Sequence, residues 1–150
     1  MKPTIVLGAD HAGFELKEHI KGFLRKKGFT VVDKGAASYD KEDDYPDFIV
    51  PAAKEVAKSP EKIKGIIFGG SGQGEAIAAN RVKGVRAALY YGKNLEIVEL
   101  SRTHNNANIL SLGARFLTKK QAEEAVELWL STSFADEERH VRRIKKIDKS

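Results

Sequence analysis

Cysteine is absent from this 150-residue chain, which removes disulfides, thiolate metal sites and a thiol nucleophile together. Nothing in that absence conflicts with a reducing cytoplasm. Long apolar runs are missing too. Met1-Lys2-Pro3-Thr4-Ile5-Val6-Leu7-Gly8 is too short for a signal peptide. No later stretch approaches the roughly 18 apolar residues that a membrane span requires. The expectation is a soluble, cytoplasmic protein without a membrane partner. There is no low-complexity stretch, internal repeat or Ser/Pro-rich linker either, and 41% hydrophobic content suffices for one core. A single domain over 1–150 follows.

Excess charge is also missing from most of the chain. The formal net charge is +5, but residues 139–150 carry six Lys/Arg against one Asp, and the remainder balances at twenty of each sign. A polyanion-binding face spread over the domain is therefore not expected, and no nucleic-acid partner is assigned. RNA binding by the basic tail is the weakest reading, because the aromatic platforms of such proteins are lacking.

What is present is an alternation of short β-branched runs with longer helical periods. Strands are expected at 4–7, 31–32, 65–68, 85–90 and 109–112, each nearly continuously apolar as buried parallel strands are. A helix over 14–27 carries apolar Phe14, Leu16, Ile20, Phe23 and Leu24, with Gly28 as its stop. Others are expected from Pro46 to about Lys58, from Gly74-Glu75, near Asn94 and after Thr118, with a basic helix closing the chain. The fold class is α/β: a three-layer α/β/α Rossmann-like sandwich on a five-stranded parallel sheet, with ligands bound beyond the carboxyl ends of the strands.

The strongest motif follows the third strand: Phe68-Gly69-Gly70-Ser71-Gly72-Gln73-Gly74-Glu75-Ala76. A glycine-dense turn opening a helix offers backbone N–H groups to an anion. The Gly69 to Gly74 spacing suits a Walker A loop, but Glu75-Ala76 replaces its Lys-Ser/Thr, which disfavours ATP and GTP. The dinucleotide G-x-G-x-x-G pattern fails at its third glycine. A carboxylate in a first helical turn should be held ionised by the helix dipole, beside donors that could stabilise an oxyanion. Base plus oxyanion donors is what proton abstraction next to a carbonyl requires. The plainer roles are that Glu75 stabilises a helix end and that Ser71 hydrogen-bonds the turn.

Asp10 and His11, in Gly8-Ala9-Asp10-His11-Ala12-Gly13, either hold a sugar hydroxyl and a phosphate or serve as helix cap and bystander. The polar run Ser101-Arg102-Thr103-His104-Asn105-Asn106-Ala107-Asn108 is dense for a connection, although capping would account for any one Asn. Arg139 and Arg143, four apart, share a helical face that could clamp a phosphate or simply face solvent, and Arg115 is a third candidate.

Together these segments, with Asp44-Tyr45-Pro46, residues 69–80 and Gly84-Val85-Arg86-Ala87, resemble the type B ribose-5-phosphate isomerases and the galactose-6-phosphate isomerase subunits, in family order along nearly the whole chain. The resemblance implies an aldose-ketose isomerase acting through a cis-enediolate without metal or cofactor. Asp10 and His11 would contact sugar and phosphate; Gly70, Ser71, Gly72, Gln73 and Gly74 would line the enediolate. His104 would assist ring opening, Asn105 would bind a hydroxyl or oxyanion, and Arg115, Arg139 and Arg143 would bind phosphate. It also implies a homodimer, possibly paired into tetramers, with sites shared between subunits. Many members carry a catalytic Cys where this chain has Gly69; the resemblance is to those that use a Glu at the position of Glu75. A hexose 6-phosphate substrate and a non-catalytic phosphate-binding module are the alternatives.

Overall fold

The computed structural model describes residues 1–150. Five strands, β1 (Thr4–Ala9), β2 (Val31–Asp33), β3 (Ile63–Gly69), β4 (Ala87–Tyr90) and β5 (Ile109–Gly113), form one sheet in the order β2-β1-β3-β5-β4. Every neighbouring pair is parallel, with Val6 opposite Gly65, Ile66 opposite Leu110 and Ala88 opposite Leu110. Around the sheet lie α1 (His11–Lys26), α2 (Pro46–Ala57), α3 (Gln73–Asn80), α4 (Glu96–Thr103), α5 (Lys119–Ser131) and α6 (Glu138–Asp148).

Strand side chains alternate between two cores, as a period of two dictates. Ile5, Leu7, Ile66, Phe68, Leu110 and Leu112 face α1, α4 and α5, where Leu16, Ile20, Val98, Val126 and Trp129 cover them. Val6, Ile67 and Ile109 face the other way, against Ile49, Ala52, Ala53 and Val56 of α2 and Ala79 of α3. Both faces are dry, which is why the strands read as continuous apolar runs; each fully buried Leu or Ile contributes about 1.5–3 kcal/mol.

The expected three-layer sandwich is the architecture found, with shifts at element ends. The first helix begins at His11 rather than 14, because Asp10 caps it through Ala12 N–H at 3.0 Å and Gly13 N–H at 3.4 Å. Gly28 sits just beyond its end in the left-handed region. The fourth strand starts at Ala87 instead of 85, the residues before it being drawn into turns: Val85 N–H bonds Val82 O, and Arg86 N–H bonds Asn108 Oδ1. One charge lies where helical periodicity gave no sign of it. Lys17 is fully buried on α1, its ammonium 2.6 Å from Asp33 and 2.7 Å from Glu18, pinning α1 to the end of β2.

Strand order decides where a site can form. The chain leaves β1 toward β2 on one side and leaves β3 toward β4 on the other, so the crevice between the carboxyl ends of β1 and β3 is the topological switch point. Residues 10–13 and 69–75 meet there.

Candidate active site

At the end of β3 the chain turns through Gly72, whose φ of 78° is the left-handed conformation that favours glycine. Two bonds tie this loop to β5 and the turn after it: Ser111 donates its hydroxyl to Gly72 O at 2.7 Å, and Arg115 N–H donates to Gly70 O at 3.0 Å. Ser71 Oγ accepts from Gln73 N–H at 3.3 Å, so Ser71 does shape the turn. Gln73, at the start of α3, points to solvent.

Glu75 stands in the first turn of α3 and is nearly buried, 4% exposed. Its carboxylate fills the place of a side chain missing at position 69: a Cβ on Gly69 would lie 2.0 to 2.2 Å from Glu75 Cδ, Oε1 and Oε2. The sequence led us to expect the helix dipole to favour the ionised form; in the structure burial acts against it. Burial raises the Glu75 pKa above the ordinary carboxylate value and Asp10 adds to it, while the bond to its own backbone N–H pulls the other way. A helix of only eight residues offers a weak counterweight to desolvation. The result is a carboxyl group whose proton affinity is higher than usual, as suits a base that must also give its proton back.

Beside it, Asp10 is both helix cap and Glu75's charged neighbour. His11 is no bystander. Asp43 Oδ1 accepts from His11 N–H at 3.0 Å and lies 2.7 Å from Nδ1, and Tyr39 meets the ring edge-on with centroids 6.1 Å apart. Nδ1 is thereby committed to Asp43, leaving Nε2 as the free ring nitrogen. The bond to Asp43 is the leading cause that raises the His11 pKa, with Asp10 adding to it; partial burial and Arg115 oppose them. Arg115 lies over the glycine loop, its Nη1 3.1 Å from where a Cβ on Gly70 would be. Tyr45 closes another side: a Cβ on Gly74 would meet its Cζ at 2.7 Å and its hydroxyl at 2.8 Å.

Asp10, His11 and Asp43 are also the one group of three with ligand atoms close enough to chelate an ion, within 4.8 Å of one another. In this arrangement Asp43 Oδ1 is taken up by His11 and Asp10 Oδ1 by the N-terminus of α1.

The remaining sequence candidates lie elsewhere. His104 is the C-terminal cap of α4 and Asn105 the exposed residue after it, so both precede β5 at the amino edge of the sheet. Seven residues of β3 at about 3.3 Å each separate that edge from the glycine loop by roughly 20 Å. Arg139 and Arg143 belong to α6, which follows the end of α5 at the same amino edge and has few ties to the sandwich. His140 stacks on His104 with ring centroids 4.3 Å apart at 19°, and Asp148 approaches Arg86 at 3.7 Å. Burial, and then the facing His104 imidazole, hold the His140 pKa below the ordinary value. Arg139 is paired with Glu137 at 3.2 Å, and Arg142 with Glu138 at 2.7 Å. The candidates therefore fall into two groups at opposite sheet edges: Asp10, His11, residues 70–75 and Arg115 at one, His104, Asn105, Arg139 and Arg143 at the other.

A sequence profile described as ribose/galactose isomerase matches residues 5–147. The chain belongs to the ribose/galactose isomerase family. Among its relatives, ribose-5-phosphate isomerase B of Mycolicibacterium paratuberculosis is 44% identical over 140 residues, covering 93% of this chain and 86% of that one. A crystal structure of ribose-5-phosphate isomerase B from Mycoplasma genitalium with bound ribulose-5-phosphate superposes with a TM-score of 0.93 at 42% identity, covering 99% of this chain and 96% of that one. The ribose 5-phosphate isomerase of Thermotoga maritima gives 0.91 at 42% identity, with both chains covered in full.

In this family member, two side chains at the carboxyl edge escaped the sequence reading. Asp43 and Tyr45 both sit in the connection before α2, where the motif Asp44-Tyr45-Pro46 marked the place without giving a role. Asp43 acts on His11 first through the bond between them and then through its charge, which gives a direct test. Asp43→Asn keeps an acceptor for Nδ1–H but removes the negative charge that favours imidazolium, so the His11 titration midpoint should fall toward that of an ordinary histidine. Following the ring signals of His11 by NMR against pH measures this; an unmoved midpoint would assign the shift to Asp10 instead.

Proposed function

We propose that this chain interconverts D-ribose 5-phosphate and D-ribulose 5-phosphate, with Glu75 as the group that moves the carbon-bound proton. The observation that carries the reading is the Glu75 carboxylate in the space vacated at Gly69, beside a glycine loop at the switch point of the sheet. A relative that shares 42% of its sequence holds ribulose-5-phosphate, the ketose of this pair.

Chemistry follows from the groups present. The aldehyde form offers an acidic proton on C2. Glu75 takes it, charge develops on the carbonyl oxygen, and a cis-enediolate forms. Backbone N–H groups of residues 70–74 and the Ser71 hydroxyl stabilise its oxygens. As the O2 hydroxyl proton passes to O1, Glu75 returns the abstracted proton to C1, so no redox partner is consumed. His104 moves a proton to and from the ring oxygen when the furanose opens, and Asn105 holds a hydroxyl. His11, with Asp43 behind it, donates from Nε2 to a phosphate oxygen alongside Arg115, Arg139 and Arg143.

Since roughly 20 Å of sheet separates the two groups, a working site needs the amino edge of a second copy against the carboxyl edge of the first. A two-fold homodimer supplies two such sites. The sparse attachment of α6 to its own sandwich agrees with this, because a helix carrying Arg139 and Arg143 can then be seated on the neighbour.

Three outcomes test the proposal. With EDTA present, wild type should convert ribose 5-phosphate and Glu75→Gln should lose about 10²- to 10⁴-fold in turnover with its fold intact. The wild-type acid limb should lie above the ordinary carboxylate range, since the base must be ionised and burial raises its pKa. Equal turnover in the two proteins rejects Glu75 as base. Gly69→Ala should also lose turnover while melting near the wild-type temperature, because its methyl displaces the flexible end of Glu75 rather than backbone. Full activity would mean that the carboxylate position does not matter. Finally, Glu75→Gln and His104→Ala, each inactive alone, should recover roughly a quarter of wild-type activity when unfolded and refolded as an equal mixture, since half of random dimers are mixed and each has one intact site. No recovery would place both residues in the same subunit's site.

A further inference from the structure

At the amino edge, on the side of His104 away from α6's arginines in sequence, two cations, Lys64 and Arg102, stand without an ion-pair partner. Lys64 opens β3 and Arg102 lies in the last turn of α4, only 8% exposed. Neither forms an ion pair; Lys64 is half-buried, and for buried Arg102 the lack of a charged partner is costly. Lys64 Nζ donates once, to Pro60 O at 2.6 Å, leaving two of its protons unbonded. Arg102 donates through Nε to Thr132 O at 3.1 Å and through Nη1 to Asn106 Oδ1 at 2.9 Å and Ala107 O at 2.6 Å, leaving Nη2 without a partner. A guanidinium in this position answers three oxygens and still has donors to spare.

Between them lies a cavity of about 30 Å³, lined by Pro3, Lys64, Arg102, Trp129 and Leu130. Trp129 is 1% exposed, and its indole Nε1–H is the one buried side-chain donor in the molecule with no hydrogen-bond partner. Arg102 Cζ stands 5.7 Å from the Trp129 ring centroid. A void of this size exceeds the roughly 10–15 Å³ that one water occupies on the same measure, so it admits a slightly larger monatomic ion. The lining residues include two cations and a tryptophan whose N–H is unpartnered, and no acidic side chain.

We propose that this cavity is a structural anion site, taking a halide-sized monoanion between Lys64, Arg102 and Trp129. The ion supplies the acceptor that the Trp129 N–H lacks and a negative charge beside buried Arg102 and half-buried Lys64. Arg102 in turn holds Asn106 and Ala107, so an ion at its other side braces the segment that carries His104 and Asn105. The state of Lys64 agrees: burial, then Arg102 and Arg86, hold its pKa down at about 8, with Glu61 opposing weakly. A bound anion would favour the ammonium, so binding should weaken by about tenfold per pH unit above that value.

Trp129 is the only tryptophan, so its emission reports on the site directly. Bromide, a heavy-atom quencher, is titrated into the full-length protein with gluconate holding the ionic strength constant. The expected result is loss of emission along a saturating curve, reversed by chloride and absent from Lys64→Met with unchanged circular dichroism. A shallow linear response identical in both proteins would overturn the proposal, leaving the cavity to water. Crystals of the wild type grown in bromide decide independently of any variant: an anomalous peak between Lys64 and Trp129 is expected, and its absence at saturating bromide rejects the site.

Discussion

The carboxyl edge of this molecule is arranged around a missing Cβ. Because residue 69 is glycine, the carboxylate of Glu75 can swing back from the first turn of α3 onto the end of β3, instead of pointing outward as a helix-capping Glu would. That position takes it out of water, and desolvation together with Asp10 then sets its proton affinity. The surrounding loop is fixed by bonds that do not involve Glu75: Ser111 to Gly72 O and Arg115 N–H to Gly70 O. Glu75 is therefore held by a frame that does not depend on it for these bonds, so the role proposed for it as base is separable from its contribution to folding.

Sheet polarity imposes the second constraint. Parallel strands send every following loop to one edge and every preceding loop to the other, so residues ahead of β5 cannot share an edge with residues behind β3. His104 and Asn105 are excluded from the glycine loop by topology, whatever their chemistry. A site that requires both groups must be an intermolecular one. The stacking of His140 on His104 joins α6 to the α4 terminus, so the groups proposed for ring opening and for phosphate binding travel as one unit toward any partner.

Much of this was legible in the sequence, and the exceptions have physical causes. The strands and their order of appearance followed from continuous apolar runs, because both sheet faces are covered. Glu75 was legible because its neighbours are glycines that leave few other uses for the turn. Its proton affinity was not, since local spacing reveals a helix terminus but not the depth at which tertiary packing buries it. Asp43 was illegible for a related reason: its partner His11 lies 32 residues away, and pairing across that separation depends on how the β2–α2 connection folds back. Lys17 has the same character, a charge on the core side of α1 made tolerable by Asp33 from another element. Sequence periodicity assigns faces, whereas the partners that neutralise a buried charge are set by topology.

The amino edge carries the same lesson one step further. Lys17 is matched from within by Asp33 and Glu18, and partly buried His11 by Asp43. Lys64 and Arg102 break that pattern, and the nearest indole leaves its N–H unbonded beside them. A buried guanidinium beside a half-buried ammonium, with no carboxylate lining the cavity between them, is what the proposed anion would complete. Because Arg102 stands two residues before His104, whatever completes that cluster also stiffens the segment that carries His104 and Asn105.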